Sequence, residues 1–175
     1  AAYQFNEGRI RYFQGSNRAA IPWYVKSRTL RGEIFGDDHV EYGKSCNNLA
    51  IVYDLLGRYE EAEPLYLEAL AIREANAGRM SERVAGVLIN LGGMYGVMGE
   101  YEVAEPMITE ALAIREQIYG KDHPAYAQTL LLLAGQYYDT NNFSKAEPLL
   151  LRAKEIYDQQ EQLDFYNYIL VLESL

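Results

Sequence analysis

One phrase returns every 42 residues along this chain: GRYEEAEPLYLEALAIRE from Gly57, GEYEVAEPMITEALAIRE from Gly99 and the looser NNFSKAEPLLLRAKEIYD from Asn141. A fixed period of that size marks a stacked repeat protein, in which each unit buries its apolar face against the next. Between residues 57–78 and 99–120, 14 of 22 positions are identical. The same spacing puts Tyr53, Tyr95 and Tyr137 in one register, Pro64, Pro106 and Pro148 in another, and Gly36, Gly78 and Gly120 in a third. Within each period two stretches carry apolar residues three and four apart, the mark of amphipathic helices. Cys46, Leu49, Ala50 and Tyr53 share the face of the first stretch; Ala62, Leu65, Ala69 and Ile72 share that of the second. Each unit is expected to be a helical hairpin, and the fold class all-α, an α-solenoid of helix-turn-helix repeats.

The period divides the chain into a degenerate first repeat over 1–38, repeats over 39–80, 81–122 and 123–160, and the start of a further helix over 161–175. In the first repeat Arg11 stands where the others have Tyr, and Trp23 where the second has Leu65. Gly57, Gly99 and Asn141 sit between the two helices of a unit, and these residue types tolerate the left-handed conformation that ends a helix. Gly78 and Gly120 are expected to end the second helix in the same way. In GKDHPAYAQTL, Asp122 is expected to cap the next helix, with Pro124 in its first turn, where a missing N–H costs nothing. Ala50 opposite Ala62, and Gly92 opposite Ala104, are expected to let paired helices approach closely. The helical pattern is under way by Tyr3 after a first residue, Ala1, that is not Met, which suggests a segment of a longer protein. Phe165, Tyr166, Tyr168, Ile169 and Leu172 make residues 161–175 too apolar for a solvent-facing cap, so self-association through this C-terminal edge is one expectation, and more chain beyond it the other.

A formal net charge of −9, spread through the repeats, argues against nucleic acid or an anionic membrane as partner, since both need a basic footprint. No apolar run approaches the roughly 20 residues of a membrane-spanning helix, so a soluble chain is expected. Cys46 stands alone, which excludes an internal disulfide and a clustered thiolate metal site and fits a reducing, cytoplasmic compartment. Nucleophilic chemistry would have to draw on Cys46 with His39 or His123. However, Cys46 falls in the helix register of Leu88 and Leu130, where a free cysteine packs as a small apolar residue. The two histidines share a linker register that suits turn and capping roles. Glu60 and Glu61 open a helix, where negative charge is favourable. No enzyme activity, cofactor or metal is therefore expected.

The small-residue and Tyr positions of each helical pair resemble the tetratricopeptide repeat. The 42-residue period, the LYLEALAIRE phrase and the GKDHPAYAQTL linker resemble its kinesin-light-chain-like subclass, whose repeats also occur in larger bacterial multidomain proteins. The resemblance implies a right-handed superhelix whose first helices line a concave groove for an extended or helical peptide, that is, a protein or peptide partner. The groove stripe would hold Asn6 and Arg9, then Lys44, Asn47, Asn48 and Ile51, then Asn90, and finally Gln128, Leu131, Leu132 and Tyr138. Asn48 matches the second Asn of the family's LNNLA motif, CNNLA here. Asn6, Asn48 and Asn90 share one register, a ladder of amides able to donate to and accept from a peptide backbone. The alternative is an assembly or regulatory segment of a larger protease or ATPase, working through its ends.

Overall fold

The computed structural model describes residues 1–159; the further helix expected over 161–175 lies outside them. Among the described residues the secondary structure is helical, in the order α1 (Ala2–Phe13), α2 (Asn17–Phe35), α3 (Val40–Leu55), α4 (Tyr59–Ala77), α5 (Glu82–Val97), α6 (Tyr101–Tyr119), α7 (Pro124–Asp139) and α8 (Phe143–Asp158). Consecutive odd and even helices form hairpins, so the chain is an all-α helical repeat protein. It divides into two compact units, residues 1–91 and 92–175.

The break inside each hairpin is built the same way. Gly57, Gly99 and Asn141 have φ of 69°, 80° and 57°. Beyond each, a backbone N–H reaches back five residues: Arg58 to Tyr53, Glu100 to Tyr95 and Asn142 to Tyr137, at 2.9, 2.9 and 2.7 Å. These bonds satisfy carbonyls that the helix end would otherwise leave open, and they require the left-handed residue between. The end of the second helix differs from expectation. Gly78 and Gly120 have positive φ, but their ψ values of 158° and 168° are mirror-extended rather than left-handed helical, a region open essentially to glycine alone. The chain leaves straight into the linker there and does not fold back under the helix.

The start of the next first helix also corrects the sequence reading. Asp122 does not cap α7: His123 does, its Nδ1 accepting the Ala125 N–H at 3.1 Å, while Asp122 pairs with Arg152. His39 caps α3 identically through Glu41 N–H at 3.1 Å. Each imidazole is held flat against an aromatic ring four residues back, Phe35 at 4.7 Å and Tyr119 at 4.4 Å between centroids.

A second device links each hairpin to the next and left no trace in the apolar pattern. Arg31, Arg73 and Arg115, one period apart, donate to the carbonyls of Glu41, Arg83 and Ala125 at 3.0, 2.7 and 2.9 Å. Each guanidinium thus crosses the linker and ties the second helix to the first turn of its successor. Arg31 also meets Ser45 Oγ, and Arg115 meets Thr129 Oγ1, both at 2.9 Å.

In residues 1–91 the core joins Phe5, Ala20, Tyr24, Leu49 and Val52, with Tyr12, Ile21 and Leu65 around it. Gly43 lies where a Cβ would come within 2.9 Å of Ile72 Cγ2, so its absence of side chain sets the approach of α3 to α4. In residues 92–175 the core joins Tyr126, Ala127, Leu130, Ala153, Ile156 and Tyr157. There Gly92 has the close-approach role expected of it, since a Cβ would lie 3.3 Å from the Ala104 carbonyl.

Candidate functional site

The first unit gathers much of the expected stripe. Arg9 from α1 and Asn48 and Ile51 from α3 line a cavity of about 120 Å³ together with Tyr12, Phe13 and Tyr24. Tyr24 is buried beneath it. Burial raises the Tyr24 pKa, and hydrogen bonding by the Asn48 amide works against that rise. Phe13 is 73% exposed at the rim, with the Arg9 guanidinium 5.8 Å from its ring centre. Arg9 has no carboxylate within ion-pair distance among the described residues. Asn6 is exposed one turn before Arg9, and Lys44 is exposed on α3, 5.0 Å over the Phe5 ring and 3.9 Å from Glu41.

The asparagines form a connected network rather than free rungs. Asn90 Nδ2 donates to Asn47 Oδ1 at 3.4 Å, and Asn47 Nδ2 donates to Asn48 Oδ1 at 3.4 Å. Asn47 is only 6% exposed, unlike the open groove position expected of it. Its register carries Phe5, Ile89 and Leu131 in the other repeats, an inward face, and its amide is satisfied there by the neighbouring asparagines. Asn47 thus bonds to both Asn48 and Asn90, which are half-buried.

The second unit holds the remaining predicted residues. Gln128 is exposed on α7, Leu131 is half-buried against the core, and Leu132 is half-buried beside it. Tyr138 is exposed and meets Phe143 edge-on at 5.2 Å. Gly93 and Gly135, in the register of Arg9 and Ile51, have open space where a side chain would stand. Sequence reasoning missed Tyr24, which reaches the cavity from the second helix of its hairpin, where the repeat pattern signals only packing.

The groups able to carry chemistry are otherwise engaged. Cys46 is fully buried, donates to Glu68 at 3.4 Å and accepts from Arg28 Nε at 3.3 Å. Burial, reinforced by the Glu68 charge against the opposing Arg28, pushes its thiol up to about 12. A thiol so protonated is a poor nucleophile. Both histidines spend Nδ1 on helix caps. No cluster of three or more His, Cys, Asp or Glu side chains suited to a metal exists among the described residues. Nor is any helix among them long and apolar enough to cross a membrane.

The tetratricopeptide repeat profile matches residues 1–75 and 83–159. The chain belongs to the tetratricopeptide repeat family. Such repeats generally mediate protein–protein interaction. Among solved structures, this tetratricopeptide repeat chain is similar to BtubC (BKLC) from P. vanneervenii, with 30% identity, a TM-score of 0.81 and 87% of this chain covered. It spans 61% of that chain, less than two thirds of its length. Two structures of a Podosopora anserina putative kinesin light chain with nearly identical TPR-like repeats match at 18% identity, with TM-scores of 0.81 and 0.80. Those matches cover 97% of this chain and 80% and 81% of theirs, and they show the shared fold. The tetratricopeptide repeats here are of the kinesin-light-chain-like type. No curated protein matches the chain significantly in sequence.

Proposed function

We propose that this chain is a non-catalytic interaction module that binds a peptide or partner domain on the groove face of its first helices. The cavity carries the reading: three expected contact residues, Arg9, Asn48 and Ile51, converge there with three aromatic rings. An open apolar concavity with a few aimed polar groups is the usual form of a recognition site. In residues 92–175, Gln128, Leu131, Leu132 and Tyr138 are proposed as further contacts. A cytoplasmic setting goes with this reading, supported by the free thiol in the core. To test it, peptides selected from a random library against the whole chain are measured on Arg9→Ala and Asn48→Ala. Binding should weaken several-fold in each while melting shifts little; affinity unchanged in both would remove the site.

A second reading, association through an end, rests on α1. Its Tyr3 and Ile10 are 63% and 49% exposed, whereas Ser45 and Val52, one period later, are both 0% exposed. That outer face is the one α3 presents to the hairpin before it. Sedimentation equilibrium tests it: association that Ile10→Lys abolishes would support it, and a monomer at every concentration would discard it. The C-terminal edge proposed for self-association, 161–175, lies outside the described residues.

A further inference from the structure

Arg31, Arg73 and Arg115 share one register, and each donates to a carbonyl in the first turn of the next helix. Their remaining donors meet different surroundings. Arg31 finds the Glu41 carboxylate at 2.8 Å and Ser45 Oγ at 2.9 Å, and Arg115 finds Thr129 Oγ1 at 2.9 Å. Around Arg73 the place of Glu41 is taken by Arg83, and that of Ser45 and Thr129 by the buried Val87. A guanidinium carries five N–H donors, and Arg73 spends Nη1 on the Arg83 carbonyl at 2.7 Å. The joint between α4 and α5 thus has a second positive charge where the joint between α2 and α3 has a negative one.

Burial lowers the Arg73 pKa and the Arg83 charge lowers it further, whereas at Arg31 the Glu41 charge works against the effect of burial. Neither Arg73 nor Arg83 has a carboxylate within ion-pair distance among the described residues. Of the carboxylates near in sequence, Glu74 holds Arg79 at 2.9 Å and Glu82 is also engaged. Two guanidinia close enough to repel, with no counter-charge between them, suit an oxyanion, which arginine binds through paired N–H donors.

The residue that opens α5 differs as well. His39 and His123 accept the N–H groups of Glu41 and Ala125, both at 3.1 Å. Ser81 holds their register in the linker GRMSER, and its Oγ meets the Val84 N–H at 3.4 Å, which leaves the Arg83 N–H without a side-chain acceptor. Ser81 is half-buried, and residues 77–80 before it are exposed. A phosphate on Ser81 Oγ brings acceptors for the Arg83 amide and for both guanidinia.

We propose that Ser81 is a phosphorylation site whose phosphate is held between Arg73 and Arg83, tying α4 to α5. A protein kinase supplies the group from a nucleoside triphosphate. Ser81 Oγ bonds to the terminal phosphorus, the bond from that phosphorus to the bridging oxygen breaks, the nucleoside diphosphate leaves, and the hydroxyl proton passes to the base of the kinase. The joint that has no carboxylate then gains a dianion in its place.

The experiment encodes phosphoserine at position 81 of the whole chain and follows its phosphorus NMR signal against pH. The second ionisation of a phosphoserine falls near ~6 in an open chain. Guanidinia on either side favour the dianion, so the midpoint should drop below the value the same chain shows in denaturant. It should return towards that value in Arg83→Gln, a change at an exposed position. With the folded midpoint below the unfolded one, the added stability is present above about pH 6 and is lost as pH falls through the folded midpoint. The modified chain should therefore melt several degrees above the unmodified one near neutral pH, with the gain fading in acid. An unshifted phosphorus midpoint overturns the proposal, as does a melting gain that Arg73→Gln and Arg83→Gln both keep. Inorganic phosphate at matched ionic strength tests the carrier. If it raises the melt of Ser81→Ala through Arg83 as far as the modification raises that of the parent, the phosphate belongs to a free ligand and the assignment to Ser81 falls.

Discussion

Gly92 and Gly93 are neighbours on one helix, and the structure gives them opposite responses to the same methyl group. Either change to alanine removes a glycine from a helix interior, worth about 1 kcal/mol of stability. At Gly93 nothing stands within 4 Å of the new Cβ, so the whole gain should appear. At Gly92 the Cβ would lie 2.8 Å from Ile108 Cγ1 and 3.3 Å from both Met107 Cβ and the Ala104 carbonyl. Ile108 is fully buried and, being β-branched, has essentially one rotamer in a helix, so the backbone must give way instead. Such overpacking costs about 1–3 kcal/mol, which cancels or outweighs the propensity gain. The pair should therefore differ by about 1–3 kcal/mol, and at about 2–4 °C per kcal/mol for a chain of this size the melts separate by several degrees. Thermal unfolding followed by far-UV circular dichroism reads this directly, with Gly93→Ala above the parent and Gly92→Ala level with or below it. Equal rises in both would refute the close approach of α5 to α6. A fall in Gly93→Ala would refute the open space above it.

Arg115→Met should destabilise by about 1–3 kcal/mol, because it strips a half-buried carbonyl and a buried hydroxyl of a charged donor while keeping most of the side-chain volume; a neutral result in urea titration would show the linker bond to be idle. Cys46 should resist a disulfide-exchange reagent at pH 8 in the folded chain and react at once in denaturant, and prompt native labelling would contradict its burial. Stability should fall as pH rises from about 10 to about 12, partly through Tyr137. Its phenol is pushed up to about 12 by burial and then by its 2.6 Å bond to Glu105, so the folded chain holds a proton that the unfolded chain releases near 10. Tyr137→Phe should flatten part of that slope, and an unaltered alkaline profile would count against the half-buried, Glu105-bonded phenol.

The hairpins were legible in the sequence because their signals are steric and repeat: small residues at contacts, and left-handed Gly or Asn at helix ends. The linker was less so. Aspartate and histidine are both reasonable caps, and what decides for His123 is the Tyr119 ring lying four residues back on the previous helix, a contact that spacing rules do not anticipate. Arg73 reads as a solvated charge on a helix, since its target is a backbone carbonyl and any residue type can supply one. Of the residues that the family resemblance implied for the groove, Arg9, Asn48 and Ile51 line one cavity. Asn47 was misjudged as open because a polar residue is not expected on an inward face unless its bonding partners are known to be there, and those partners come from a helix one period away.

The arginines at 31, 73 and 115 each reach ten residues forward, past the glycine that follows the second helix. Covalent period and bonded unit are therefore out of step: every bond starts in one repeat and closes in the next. A duplication or deletion of one whole period restores all such bonds wherever its breakpoints fall, because each donor again finds a carbonyl ten residues on. Any change in linker length strands a charged guanidinium at the joint. Arrays of this kind can grow and shrink by whole repeats while their spacing stays fixed, with each new junction tested for length by a single side chain.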